Sequence, residues 1–193
     1  REWSGWCPTH MLSTKVTGKK LGFIGFGRIA QAVAQKAHFG FGMEISFYDP
    51  YPPLDEIIKK FSAKKFDTLE EVLRDSDFIT LHCPGGGSNT NLMNKDRFAL
   101  MKESAFLINT ARGDVVDEAA LVQALKDDVI AGAGLDVYAK EPTVTEELLS
   151  MNNVVLIPHL GSATTETRVA MGLRSLANVK AFFDGKEPGD RVA

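Results

Sequence analysis

The chain has little of what marks several classes of protein. Its 193 residues include two cysteines, Cys7 and Cys83, far apart and in no CxxC or metal-ligand spacing. Neither a disulfide framework nor a cysteine metal centre is expected, and reduced thiols in a cytoplasmic protein are. No apolar run approaches the roughly 18 residues that a membrane span needs. The 22 Lys and Arg against 25 Asp and Glu leave a net charge of -3 and form no basic cluster, which removes nucleic acid as a default partner. No internal repeat, low-complexity tract or Pro/Gly-rich linker divides the chain. Its start, Arg1-Glu2-Trp3, has neither an initiator methionine nor the pattern of a signal peptide, so a start in mid-protein is the expectation.

What is present is an alternation. Apolar content of 44% suffices for a buried core, and one domain is expected. Strand-like runs at Leu21–Phe26, Ile45–Tyr48, Lys65-Phe66, Phe78–Cys83, Ala105–Thr110, Ile130–Val137 and Val154–His159 alternate with helical patterns. Ala30, Val33, Ala34 and Ala37 mark the inner face of the first helix, and Leu54, Ile57, Ile58 and Phe61 repeat that spacing. Thr68-Leu69-Glu70-Glu71 is a capping box, and further helices are expected at Asn94–Lys102 and Asp117–Asp127. Strands separated by helices predict an α/β Rossmann-type fold, a doubly wound parallel sheet with helices on both faces and right-handed crossovers. In the last segment, Thr165–Gly185, a stripe of Val169, Leu173, Leu176, Val179 and Phe183 predicts one long amphipathic helix packing back on the sheet. The expected organisation is an N-terminal segment over 1–20, the Rossmann domain over 21–164 and the helix over 165–193.

Gly25-Phe26-Gly27-Arg28-Ile29-Ala30 fits the dinucleotide pattern G-x-G-x-x-G/A, at the end of a strand and the start of a helix. Gly25 permits the tight turn, Gly27 lets the backbone approach a pyrophosphate, and Ala30 lets the helix lie close to the strand. The helix N-terminus adds N–H donors and a positive dipole for the phosphates. Asp49 stands 22 residues after Gly27 at the end of the second strand. There a carboxylate accepts hydrogen bonds from ribose hydroxyls and repels a 2′-phosphate, which favours NAD over NADP. A simple turn-forming Asp is the structural alternative.

Three polar residues follow later strands at the edge where open α/β sheets bind ligands: Arg112, Glu141 and His159. Taken singly, each has an ordinary reading as a surface ion pair, a loop carboxylate and a strand-end histidine. Taken with their neighbours they carry a resemblance. Asn109-Thr110-Ala111-Arg112-Gly113-Asp114-Val115-Val116-Asp117-Glu118, Gly134-Leu135-Asp136-Val137 with Glu141-Pro142, and Pro158-His159-Leu160-Gly161-Ser162-Ala163-Thr164 resemble the D-isomer-specific 2-hydroxyacid dehydrogenases. Within the family, the run Pro158–Thr164 followed by Glu166-Thr167-Arg168 looks most like the glyoxylate and hydroxypyruvate reductases.

The resemblance implies NAD(H) as cofactor and a small 2-oxo or 2-hydroxy acid as substrate. It implies that Arg112 binds the substrate carboxylate and carbonyl, that His159 is the acid and base, and that Glu141 orients the imidazole and favours its protonated form. It places Arg28 and Ile29 at the pyrophosphate, Cys83, Pro84, Thr110 and Ala111 along the cofactor cleft, Asp136 at the carboxamide, and Gly161 and Ser162 beside nicotinamide and substrate. For Cys83 and Pro84 a purely shaping role stays open. It further implies a homodimer, with Trp3, Trp6 and Cys7 in the segment that meets the partner, and a substrate domain lacking from this chain, so that the chain alone binds cofactor but turns over poorly.

Two features depart from the family: Gly85-Gly86-Gly87 replaces a Leu-Thr-Pro type of sequence, and Thr143–Met151 lacks a common proline before its paired leucines. An NAD-sensing corepressor-like binding protein is the competing class, with phosphoglycerate and D-lactate dehydrogenases as competing enzymes. Formate dehydrogenase of this family carries Gln where Glu141 stands, and a nucleotide-binding methyltransferase leaves Arg112 and His159 unexplained.

Overall fold

The computed structural model describes residues 5–191. The chain divides into two compact units, Arg1–Leu156 and Ile157–Ala193. The first holds β1 (Lys20–Ile24), α1 (Arg28–Phe41), β2 (Glu44–Tyr48), α2 (Asp55–Lys60), β3 (Lys64–Lys65), α3 (Leu69–Asp75) and β4 (Phe78–Leu81). It continues with α4 (Lys95–Phe98), β5 (Phe106–Asn109), α5 (Glu118–Lys126), β6 (Gly132–Leu135), α6 (Glu146–Leu149) and β7 (Val154–Leu156). The second unit holds α7 (Thr165–Phe183).

All neighbouring strands pair in parallel, in the order β3-β2-β1-β4-β5-β6-β7. This is the doubly wound α/β sheet that the alternation predicts. The order reverses between β1 and β4, and such a switch point opens a crevice outside the carboxyl ends of the strands.

Strands covered on both faces read as apolar runs, and here each face has its own core. Leu21 and Phe23 of β1 join Ile45 and Phe47 of β2 and Ala30, Ala34 and Ala37 of α1. Ile24 turns to the other face, with Val72 and Leu73 of α3 and Leu121 and Leu125 of α5. Burying a large apolar side chain contributes about 1.5–3 kcal/mol, and Phe23 and Phe47 are wholly buried. The capping box opens α3 as expected: Thr68 accepts the Glu71 N–H and Glu71 accepts the Thr68 N–H. Among the described residues no helix is long and apolar enough to cross a membrane.

Element ends depart from the sequence expectation in one direction. β1, β4, β5, β6 and β7 all stop short of the apolar runs that announce them; for β1 and β6 the runs include residues buried in the following loops, Phe26 and Val137. The helix expected over Asn94–Lys102 shrinks to Lys95–Phe98, capped by Asn94, while Met101 is buried from the turn beyond it. α6 gives no sequence stripe, being four residues long. No residue of α7 is buried, and Val169, Leu173, Leu176, Val179 and Phe183 all lie exposed within the second unit. Periodicity marks a face as suited to burial without saying which surface covers it.

Candidate active site

The chain leaves β1 through a tight turn. Gly25 has φ +86, and a Cβ there would stand 2.9 Å from the Cys83 nitrogen and from the His82 carbonyl group. The turn therefore lies directly against the end of β4, and glycine is required on both counts. Gly27 is the N-cap of α1, with no side-chain cap and no acidic residue in the first turn. Open space lies where its Cβ would be, so donors at the helix start face outward without a methyl group between them and a ligand. Arg28 and Ile29 follow, exposed, and Ala30 is fully buried where the helix meets the sheet.

Asp49, just past β2, reaches across to this turn. One carboxylate oxygen accepts the Phe26 N–H at 2.7 Å and the other accepts the Tyr51 N–H at 2.8 Å. Each oxygen retains a second lone pair for a further donor. Gly25, Gly27, Asp49, Cys83 and Pro84 line one cleft of about 780 Å³ at the switch point. Its other wall contains Thr68 and Glu70, legible in the sequence only as part of a capping box, with Asn89 and Arg97. Arg97 donates to Glu70 at 3.0 and 3.1 Å and to the Leu92 carbonyl at 2.7 Å, so this wall is tied together. Backbone hydrogen bonding and Arg97 hold the Glu70 carboxyl below its usual range despite partial burial.

His82 also borders the cleft. Burial pushes its imidazole down to about 4, and the ring stacks on Phe23 and meets the Thr80 hydroxyl at 3.0 Å. The neutral ring is part of the floor. Burial pushes the Cys83 thiol up, which makes it a weak nucleophile.

At the end of β5, the nearly fully buried Asn109 pins the next turn at both ends. Its Oδ1 accepts the Ala111 N–H at 3.0 Å and its Nδ2 donates to the Arg112 carbonyl at 2.9 Å. Thr110 and Arg112 are left exposed, and the guanidinium donates through Nη1 to the Ala111 carbonyl at 2.6 Å. Asp114 accepts the Gly86 N–H at 2.6 Å, which fastens the glycine-rich loop after β4 to the Arg112 loop. Past β6, Asp136 is buried and its N–H donates to the Asn109 carbonyl at 2.9 Å. Glu141 lies in the following loop and accepts the Tyr138 N–H at 3.1 Å. That loop touches the Arg112 loop backbone to backbone: a Cβ on Gly113 would fall 1.9 Å from the Tyr138 carbonyl carbon. Arg112 and Glu141 thus sit on contacting loops at the carboxyl edge of the sheet. His159 belongs to the second unit, exposed, with φ +53 and its N–H donating to the Ile157 carbonyl at 3.2 Å. Gly161 is exposed in the same stretch, two residues beyond it.

The profile of the family described as D-isomer specific 2-hydroxyacid dehydrogenase, NAD binding domain, matches residues 1–161. The chain belongs to that family. The glyoxylate reductase of Thermococcus kodakarensis is 48% identical over 183 residues, which is 95% of this chain and 54% of the relative. The holo D-mandelate dehydrogenase of Rhodotorula graminis superposes with a TM-score of 0.88 at 35% identity, covering 94% of this chain and 54% of that one. The D-lactate dehydrogenase of Lactobacillus jensenii, solved with NAD+, gives 0.86 at 32% identity, with 97% and 59% covered. This NAD-binding domain spans about half the length of the relatives it matches.

Proposed function

We propose that the chain forms the cofactor-bearing wall of a dehydrogenase that passes hydride between NAD(H) and a small 2-oxo or 2-hydroxy acid, with glyoxylate or hydroxypyruvate as the favoured substrate. The observation that carries this reading is the placement of Arg112 and Glu141 on contacting loops at the same sheet edge as the glycine turn. The open space at Gly27, the uncapped start of α1 and the Asp49 carboxylate fit a dinucleotide, with Arg28 and Ile29 at its pyrophosphate. Cys83, Pro84, Thr110, Ala111 and Gly161 would border the cofactor, and Asp136 its carboxamide. When bound, the nicotinamide supplies the hydride.

This chain supplies position and charge. Arg112 would hold the substrate carboxylate through paired donors and draw electron density from the carbonyl. His159 would give a proton to the developing alkoxide in reduction and take it back in oxidation, and Glu141 would orient the imidazole and stabilise its charged form. Asp49 favours NAD over its 2′-phosphorylated form. The domain boundaries proposed are 1–20, 21–164 and 165–193. A cytoplasmic homodimer is proposed, and Trp6, Met11 and Leu12 support it by exposing large apolar surfaces in the N-terminal segment. Trp3 falls outside the described residues.

The test is NADH oxidation against a panel of 2-oxo acids, with His159→Ala as control. Full reductase activity in that variant contradicts the assignment of the acid; NADH binding without turnover of any 2-oxo acid, in a protein that also carries the second wall, favours a sensing role instead.

A further inference from the structure

Glu118 stands outside the Arg112, Glu141, His159 set, yet its side chain holds the loop on which Glu141 rides. It is the first residue of α5, and one carboxylate oxygen accepts the Ala139 N–H at 2.7 Å. The other accepts the Thr145 hydroxyl. These partners lie 21 and 27 residues away in sequence and bracket the segment 139–145. Inside the bracket, Lys140 and Thr143 form a bridge with the Thr143 N–H donating to the Lys140 carbonyl at 2.8 Å, and Glu141 accepts the Tyr138 N–H. After Pro142 no proline fixes the backbone before α6, so hydrogen bonding restrains the remainder of this loop. Bonds to a carboxylate are the stronger kind, and two of them from one side chain fix both ends of a loop at once.

We propose that Glu118 is the positioning residue for Glu141: by gripping Ala139 and Thr145 it sets the loop from which Glu141 acts. The inference rests on the catalytic reading of Glu141 given above. Glu118 lies away from the residues lining the cofactor cleft, so its effect should fall on Glu141 and spare NADH binding.

The test measures amide exchange in the 193-residue chain, for the unsubstituted protein, Glu118→Ala, Glu118→Gln and Thr145→Val. Glu118→Ala should speed exchange of the Tyr138 N–H about tenfold or more while amides of β1 keep their protection. Glu118→Gln should restore most of it, since its carbonyl oxygen still accepts from Ala139 and its amide donates to the Thr145 oxygen. Thr145→Val should fall between. Unchanged exchange at Tyr138 in Glu118→Ala, or an equal rise in β1, overturns the proposal. In turnover by a protein that also carries the second wall, Glu118→Ala should lower kcat with KM for NADH within about twofold, Glu118→Gln should recover it, and adding Glu118→Ala to Glu141→Gln should slow the enzyme no further. Additive losses overturn the coupling. Absence of turnover in a protein that also carries the second wall counts against the catalytic reading of Glu141, and the exchange result still decides whether Glu118 sets the loop.

Discussion

Gly113 and Tyr138 touch through their backbones, so closely that a Cβ on Gly113 would stand 1.9 Å from the Tyr138 carbonyl carbon and 2.1 Å from its oxygen. Neither side of the contact can yield by rotating a side chain. Gly113→Ala should therefore cost about 2–3 kcal/mol or more of stability, the upper part of the overpacking range, and should move Arg112 away from Glu141. Urea unfolding measures the first effect; kcat falling further than NADH affinity measures the second.

Asp49, proposed above to meet the ribose, lines the cleft and also accepts the Phe26 N–H. Asp49→Ala should weaken NADH binding by about tenfold or more, as expected for loss of charge-assisted hydrogen bonds. Asp49→Asn keeps an acceptor and loses the charge, so it should narrow the preference for NADH over NADPH with less harm to stability. Calorimetric titration with both cofactors separates the two effects.

His82 gives the fold a pH dependence. Its folded value of about 4 lies below the ordinary 6.5, so the unfolded chain binds its proton first as pH falls. The penalty is absent above pH 7, grows as pH falls from about 6.5 to about 4, and then levels off at about 3 kcal/mol. Asp77 acts lower on the scale: burial raises its carboxyl, but hydrogen bonds from Lys102 and the Lys20 N–H outweigh it and hold it below its usual range. Comparing urea unfolding of the unsubstituted protein and His82→Gln at pH 7, 5.5 and 4 isolates the histidine. Parallel pH curves would show that its burial contributes nothing.

Arg112→Lys should keep a positive charge and lose the planar pair of donors. Turnover of a 2-oxo acid is expected to fall on the order of a hundredfold while NADH affinity holds, because a point charge cannot meet carboxylate and carbonyl together. Steady-state kinetics beside a binding titration would check it.

Light scattering should return the mass of two chains. Replacing Trp6, Met11 and Leu12 with polar residues should shift it toward one, if the N-terminal segment meets the partner. A single-chain mass for the unsubstituted protein contradicts the dimer.

The sheet was legible because its inner strands are buried on both faces and read as apolar runs, and because Ala30, Ala34 and Ala37 repeat at helical spacing. The strand ends were not. Phe26 and Val137 are as buried as strand residues but lie in loops, and hydrophobicity alone cannot tell the two apart. Local motifs found Gly25, Gly27 and Asp49, since a glycine turn and an acidic residue at a set distance have local causes. The roles of Asn109, His82 and Glu118 depend on where distant segments meet. Glu118 touches residues 21 and 27 positions away, a relation with no local sequence signature. The stripe of α7 announced a face for burial, and the sequence held nothing to name its cover.

The carboxylate of Asp49 braces the glycine turn, and on the reading proposed above it also meets the cofactor's sugar, so two properties would share one side chain. A lineage drifting toward phosphorylated coenzyme could not simply discard it. It would first need a replacement acceptor for the Phe26 N–H, and cofactor choice and turn shape would then be inherited together.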